Sequence, residues 1–148
     1  MKSTLREIIQ EKAGGQTMHS VPIDATIDEA VDKMNQELIG AVLVMRGGDL
    51  AGIFTERDVL TKVVGRQMDT GRMPVADVMT KDVLVCDGST TLEDAMRIVT
   101  ERRFRHLPVT EGNRLIGMVS SGDLTRWTVR DQQDTIEDLV KYISGDIG

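Results

Sequence analysis

Apolar residues in Thr26–Leu38 (TIDEAVDKMNQEL) fall at Ile27, Ala30, Val31, Met34 and Leu38. Steps of three and four place them on one face of a helix. The same spacing returns at Leu92, Ala95, Met96 and Val99 within Thr91–Arg103, at a constant offset of 65 residues (Ile27 to Leu92, Ala30 to Ala95, Val31 to Met96, Met34 to Val99). The offset then carries Ala41–Val44 onto His106–Val109, Leu50–Thr55 onto Leu115–Ser120, and Asp58 onto Asp123. The short aliphatic runs, separated by Gly47-Gly48-Asp49 and Glu111-Gly112-Asn113, predict two strands joined by a tight turn in each copy. A helix is expected after each second strand, over Glu56 to about Val64 and Ser121 to about Arg130. Ahead of each first helix lies a short extended piece, Ser20–Ile23 and Val83–Cys86, with a one-residue difference between the copies around Asp87-Gly88-Ser89. Each copy thus reads as β-α-β-β-α, an α+β unit present twice.

The boundaries follow from this repeat. Residues 1–17 form an N-terminal extension with a helix over Thr4–Lys12, 18–65 the first repeat, and 77–131 the second. The polar, glycine-containing stretch GRQMDTGRMP (Gly65–Pro74) marks a linker at 66–76. Residues 132–148 hold a C-terminal helix, Asp134–Ile143, with Ile136, Leu139, Val140 and Ile143 on one face. Such a stripe needs a covering surface, supplied by its own chain or by a second subunit. With 3% aromatic residues and nine methionines, aliphatic side chains and Met must fill the core. The net charge of −6 argues against a broad electrostatic grip on nucleic acid. Cys86, the single cysteine, forms no internal disulfide or zinc pattern and reads as a small buried hydrophobe. The start of the chain lacks an apolar leader core, and no stretch approaches the roughly 18 apolar residues of a membrane span. A cytoplasmic location is therefore expected, with no membrane contact and no direct nucleic-acid partner.

Each copy contains Gly-apolar-apolar-hydroxyl-x-x-Asp: Gly52-Ile53-Phe54-Thr55-Glu56-Arg57-Asp58 and Gly117-Met118-Val119-Ser120-Ser121-Gly122-Asp123. The hydroxyl falls where a strand ends and a helix begins. A hydroxyl followed three residues later by an acid resembles a helix capping box, with Asp in place of Glu or Gln. The same geometry also suits a ligand. Free N–H groups at a helix start favour a phosphate, and a carboxylate one turn later can accept from vicinal ribose hydroxyls.

The segments LIGAVLVMRGGDLAGIFTERDVL (Leu38–Leu60) and FRHLPVTEGNRLIGMVSSGDL (Phe104–Leu124) resemble the cores of paired cystathionine-β-synthase-type (CBS) domains, over about Met18–Asp131. The tail, from Val129 through Gly145, resembles small stand-alone CBS-pair proteins. The resemblance implies two repeats packed about a pseudo-twofold axis, with adenine ligands (AMP, ADP, ATP, S-adenosylmethionine or NAD(H)) in clefts between them. It also implies pairing of two such modules into a homodimer. Carried over by motif, Asp58 and Asp123 would hold ribose hydroxyls, and Thr55 and Ser120 the phosphate side. The adenine would lie near Val21, Ile23 and Ile53 in copy one, and near Val83, Val85, Ile116 and Met118 in copy two. Backbone groups around Gly40-Ala41 and His106-Leu107 would read its edge.

Arg57 stands against Gly122, and Arg105-His106 against Gly40-Ala41, so the two sites are expected to differ in charge and affinity. Arg57, Arg105 and His106 match phosphate-contact positions of the family. The residues alone leave Arg105 as a solvated surface side chain and His106 as a hydrogen-bonded strand residue. In the helix-end run Arg102-Arg103-Phe104-Arg105, favourable interaction with the helix dipole accounts for the first two arginines. A protonated His106 beside phosphate would make binding pH-dependent. The two histidines, His19 and His106, belong to no HExxH or Cys–His pair, and neither Gly-x-Ser-x-Gly, a P-loop nor Gly-x-Gly-x-x-Gly occurs. The expected function is a non-catalytic nucleotide-binding sensor, with no obligatory cofactor or metal, acting on a separate protein. The alternatives are an interaction module without ligand and, more remotely, a nucleic-acid-associated regulator.

Overall fold

A computed structural model describes residues 3–12 and 18–144. The remainder of the N-terminal extension and the last four residues of the C-terminal segment lie outside the described residues. The chain divides into two compact units, Thr17–Leu84 and a second made of Met1–Gln16 with Val85–Gly148.

In the first unit, β1 (Ser20–Pro22) pairs parallel with β2 (Ala41–Arg46), which pairs antiparallel with β3 (Asp49–Thr55). Helix α2 (Ile27–Glu37) connects β1 to β2. It starts at Thr26, whose hydroxyl accepts from the Glu29 N–H and satisfies one of the free amides of the first turn. Its apolar face (Ile27, Ala30, Met34) packs with Val21, Val42, Val44 and Phe54 from the sheet. Short helix α3 (Glu56–Asp58) follows β3 and runs into a π-helical turn, Val59–Val63, where a regular helix to Val64 was expected.

The second unit repeats this order. Strands β4 (Cys86–Asp87), β5 (His106–Glu111) and β6 (Arg114–Ser120) form the sheet. Helix α4 (Leu92–Arg102) starts at Thr91, which accepts from the Asp94 N–H. Leu107, Val109 and Val119 are fully buried, as are Val42, Val44 and Phe54 at the matching positions of the first sheet. The two sheets share register to the residue. Val21 lies opposite Val44 and Cys86 opposite Val109, and each middle strand has an irregularity after that valine.

Three expectations are corrected here. The extended piece of copy two is Cys86–Asp87, not Val83–Cys86, and the 65-residue offset runs through it without a gap, Cys86 taking the place of Val21. The aliphatic run Val83-Leu84-Val85 imitates a strand, but pairing with β5 begins only at Cys86. Second, no break separates the last two expected helices. They are one helix, α5 (Ser121–Ser144), since nothing beyond Gly122 interrupts helical propensity.

Third, the segments expected to lie outside the repeats complete them. In the first unit, Pro74 bridges to Thr26, the Val75 N–H donates to Ala25 O, and Val75, Val78 and Met79 enter the core. In the second unit, Thr4 bridges to Thr91 and the Leu5 N–H donates to Thr90 O. Helix α1 (Leu5–Lys12) there buries Leu5, Ile8 and Ile9. Thus Val75-Val78-Met79 and Leu5-Ile8-Ile9 are the same apolar patch in two settings. The chain divides at Leu84/Val85, and the linker segment belongs with the first repeat.

Candidate functional site

Both Gly-apolar-apolar-hydroxyl-x-x-Asp motifs sit at the junction of the third strand and the following helix. In the first unit, Thr55 Oγ1 accepts from the Asp58 N–H at 3.2 Å, and Asp58 Oδ2 accepts from the Thr55 N–H at 3.0 Å. In the second, Ser120 Oγ accepts from the Asp123 N–H at 3.1 Å, and Asp123 Oδ2 accepts from the Ser120 N–H at 2.8 Å. These are reciprocal capping boxes. Asp58 and Asp123 are the buried charged residues among those described, at 5% and 6% exposure.

A buried carboxylate is costly unless paired. Each aspartate meets a lysine, but from different places. Lys62 Nζ reaches Asp58 Oδ1 at 2.9 Å from four residues along the chain, and the Thr80 hydroxyl adds a hydrogen bond at 3.0 Å. Asp123 instead takes Lys12 Nζ, from the end of α1, at 2.8 Å, with Arg126 on its other oxygen. Burial pushes the Asp123 carboxyl up, but hydrogen bonds from Lys12 and Ser120 and the lysine charge outweigh it and hold it below the ordinary carboxylate value. Lys62 also donates to Val78 O, and Lys12 to Met118 O. Neither lysine, nor Thr80 or Arg126, was anticipated. The i, i+4 spacing of Asp58 and Lys62 was a usable signal. Lys12 and Thr80 had none.

The other expected residues distribute by unit. Around Thr55 and Asp58, Gly40 O accepts from the Glu56 N–H at 3.0 Å, and Arg57 is exposed. Val21, Ala41 and Ile53 are buried, while Ile23 is partly open. Ile53 exchanges two backbone hydrogen bonds with Thr80. Around Ser120 and Asp123, Arg105 O accepts from the Ser121 N–H at 2.8 Å and the Arg105 side chain is exposed. His106 stands opposite Ser120 in the strand register, Leu107 is buried, and Ile116 and Met118 are partly open. Val85 is exposed and precedes β4, and Val83 belongs to the other compact unit, so the strand position assigned to them is held by Cys86. Burial pushes the Cys86 thiol up, away from the reactive thiolate.

Each turn therefore offers a hydroxyl, a carboxylate and a cation at a helix start. A ribose could claim the carboxylate only by replacing one of the donors that now satisfy it. Among the described residues there is no cluster of three metal-ligating side chains, and no helix is long and apolar enough to cross a membrane.

Comparison with known proteins matches this geometry to one family. The CBS domain profile fits residues 16–65 and again 75–130. The chain is 36% identical over 127 residues to the mitochondrial CBS domain-containing protein CBSX3 of Arabidopsis thaliana, covering 82% of this chain and 62% of that one. It thus spans less than two thirds of that relative's length. The solved structure of a proposed signal-transduction protein with CBS domains from Burkholderia ambifaria superposes with a TM-score of 0.82 at 37% identity, covering 88% of this chain and 96% of the other. CBSX2 in complex with AMP superposes with a TM-score of 0.70 at 26% identity, covering 88% and 98%. With two profile matches spanning most of its length and the β-α-β-β-α order in both units, this chain belongs to the CBS domain family, as a tandem pair of such domains.

Proposed function

We propose that this CBS pair is a non-catalytic regulatory module that binds an adenine nucleotide at its strand-to-helix turns and so modulates a separate protein. The observation that carries this reading is the duplicated turn. Thr55/Asp58 and Ser120/Asp123 keep the same reciprocal hydrogen bonds in two units that otherwise differ at many positions. A relative of the same fold is bound to AMP, which supports the ligand class. AMP, ADP, ATP, NAD(H) and S-adenosylmethionine all carry the adenine and ribose the site would read. Asp58 and Asp123 would take the ribose hydroxyls, and Thr55, Ser120, Arg57, Arg105 and His106 the phosphate side. Val21, Ile23, Gly40, Ala41 and Ile53 in one unit, and Leu107, Ile116 and Met118 in the other, would border the base.

The lysines set the energetics of this reading. A ribose hydroxyl pair must compete with Lys62 or Thr80 at Asp58, and with Lys12 or Arg126 at Asp123. Displacing Lys62 moves a side chain on the π-helical turn that directly follows α3. Displacing Lys12 loosens a contact that fastens α1. Unequal affinities follow. Regulation needs the ligand to bind two states of the module unequally, and the Lys12 contact is one interaction that such states could differ in.

The test is calorimetric titration of the full chain with AMP, ATP, NADH and S-adenosylmethionine. At least one should bind in the micromolar range. If none binds, and none raises the melting temperature at millimolar concentration, the module acts through protein contacts alone.

A further inference from the structure

Lys12 closes the end of α1 onto the second strand-to-helix turn through two hydrogen bonds. Its Nζ donates to Asp123 Oδ2 at 2.8 Å and to Met118 O at 3.1 Å. Asp123 Oδ2 also accepts from the Ser120 N–H, while Oδ1 takes Arg126. Oδ2 thus carries two donors, its full complement, and is closed to a ribose hydroxyl until Lys12 leaves.

The two cations differ in how easily they leave. The Arg126 side chain is 72% exposed and swings clear on its own helix. Lys12 is held by what precedes it. Leu5 and Ile8 are fully buried, and Ile9 packs against Gly117 of β6. The neighbouring Glu11 pairs with Arg130 at 2.7 Å. Asp123 and Arg130 stand seven residues apart, two helical turns, and so share one face of α5. Glu11 and Lys12 therefore fasten the last turn of α1 to α5 at two points. With eight residues, α1 is too short to hold itself helical in water, so its last turn depends on these contacts. The first unit is built differently. There the lysine on Asp58 comes from the adjoining turn, and the segment packed like α1 reaches the carboxylate through the Thr80 hydroxyl, without charge.

We propose that α1 is an autoinhibitory latch on the second turn, with Lys12 as an internal cation that holds the Asp123 carboxylate against nucleotide. A ribose seated on Asp123 displaces Lys12 and releases the last turn of α1. The coupling is reciprocal. Whatever draws the N-terminal segment away from α5 raises nucleotide affinity by the same factor by which nucleotide favours its release. The latch rests on the nucleotide reading of this turn, and it names the segment that moves.

Calorimetric titration of the full chain with AMP, paired with hydrogen exchange, tests the latch. Lys12→Met should bind AMP about tenfold or more tightly than the wild type, the scale of a hydrogen bond to a charged group. Glu11→Gln leaves Lys12 and Asp123 in place and removes only the half-exposed pair with Arg130. It should tighten binding about two- to fivefold, and it decides the matter if Lys12→Met fails to fold. Lys141→Met, which removes a charge from the exposed end of α5, should bind as the wild type does. In the wild type, AMP should speed amide exchange in residues 8–12. In Lys12→Met these amides should exchange fast without AMP. Equal or weaker affinity in both α1 variants, or exchange in residues 8–12 that AMP leaves unchanged or slows, would overturn the latch and leave the nucleotide reading standing. No binding by any of the four proteins at millimolar AMP would overturn both.

Discussion

Lys12 and Asp123 lie 111 residues apart in sequence and meet at 2.8 Å, joining the end of α1 to the cap of α5. The contact makes the start of the chain part of the second domain. It also places a cation on the carboxylate that the family resemblance assigns to ribose.

Lys12→Met should therefore expose the cost of that carboxylate. Leaving Asp123 without its lysine is expected to destabilise the protein by about 1–3 kcal/mol at neutral pH. Asp123 is held below the ordinary carboxylate value in the folded protein, so its contribution is present above the unfolded value of about 3.9 and is lost as pH falls through the lower folded value. Denaturant unfolding of both proteins should show their stabilities converging below about pH 4. A gap that stays constant down to the lowest pH would mean that Lys12 acts by packing alone.

The paired glycines report on the two completing segments. A Cβ on Gly52 would sit 2.7 Å from both Met79 Sδ and the Thr80 carbonyl oxygen, whereas the nearest atoms to one on Gly117 belong to the Ile9 side chain, at 3.0 Å. A side chain can move aside more cheaply than backbone. Gly52→Ala should cost about 1–3 kcal/mol and Gly117→Ala measurably less. Melting temperatures in the reverse order would contradict the equivalence of Met79 and Ile9.

Both long helices that precede a second strand end on a left-handed residue that is not glycine, Leu38 (φ 55°) and Arg103 (φ 58°). This conformation disfavours side chains with a Cβ by roughly 1–2 kcal/mol. Leu38 is 91% exposed and loses no packing on truncation. Leu38→Gly should raise stability by up to about 1 kcal/mol. A drop in melting temperature would show that Leu38 makes a contact in solution beyond its own chain.

Much of this is legible in the sequence itself. Helical spacing in Ile27–Met34 and Leu92–Val99, with the Gly-centred turns, gave both α+β units, because local periodicity and turn chemistry carry that information. Thr55/Asp58 and Ser120/Asp123 were readable as caps for the same reason. Partners brought by the fold were not readable. Lys12 and Thr80 reach the aspartates from segments with no motif of their own. Val83 and Val85 misled because β-branched residues suggest a strand, while Cys86, read as a buried small residue, holds the paired position. The union of the last two helices was missed because polar residues at Asp131–Asp134 resemble a boundary yet tolerate helix.

The most direct measurement is AMP affinity by calorimetry for the wild type, Asp58→Asn, Asp123→Asn and the exposed control Asp94→Ala, with folding checked by melting. Loss of a charged hydrogen-bonding partner for ribose should weaken binding about tenfold or more in at least one of the two Asn variants. Asp94→Ala should leave it unchanged. Equal affinities in all four proteins would contradict the assignment of the site to the capped turns.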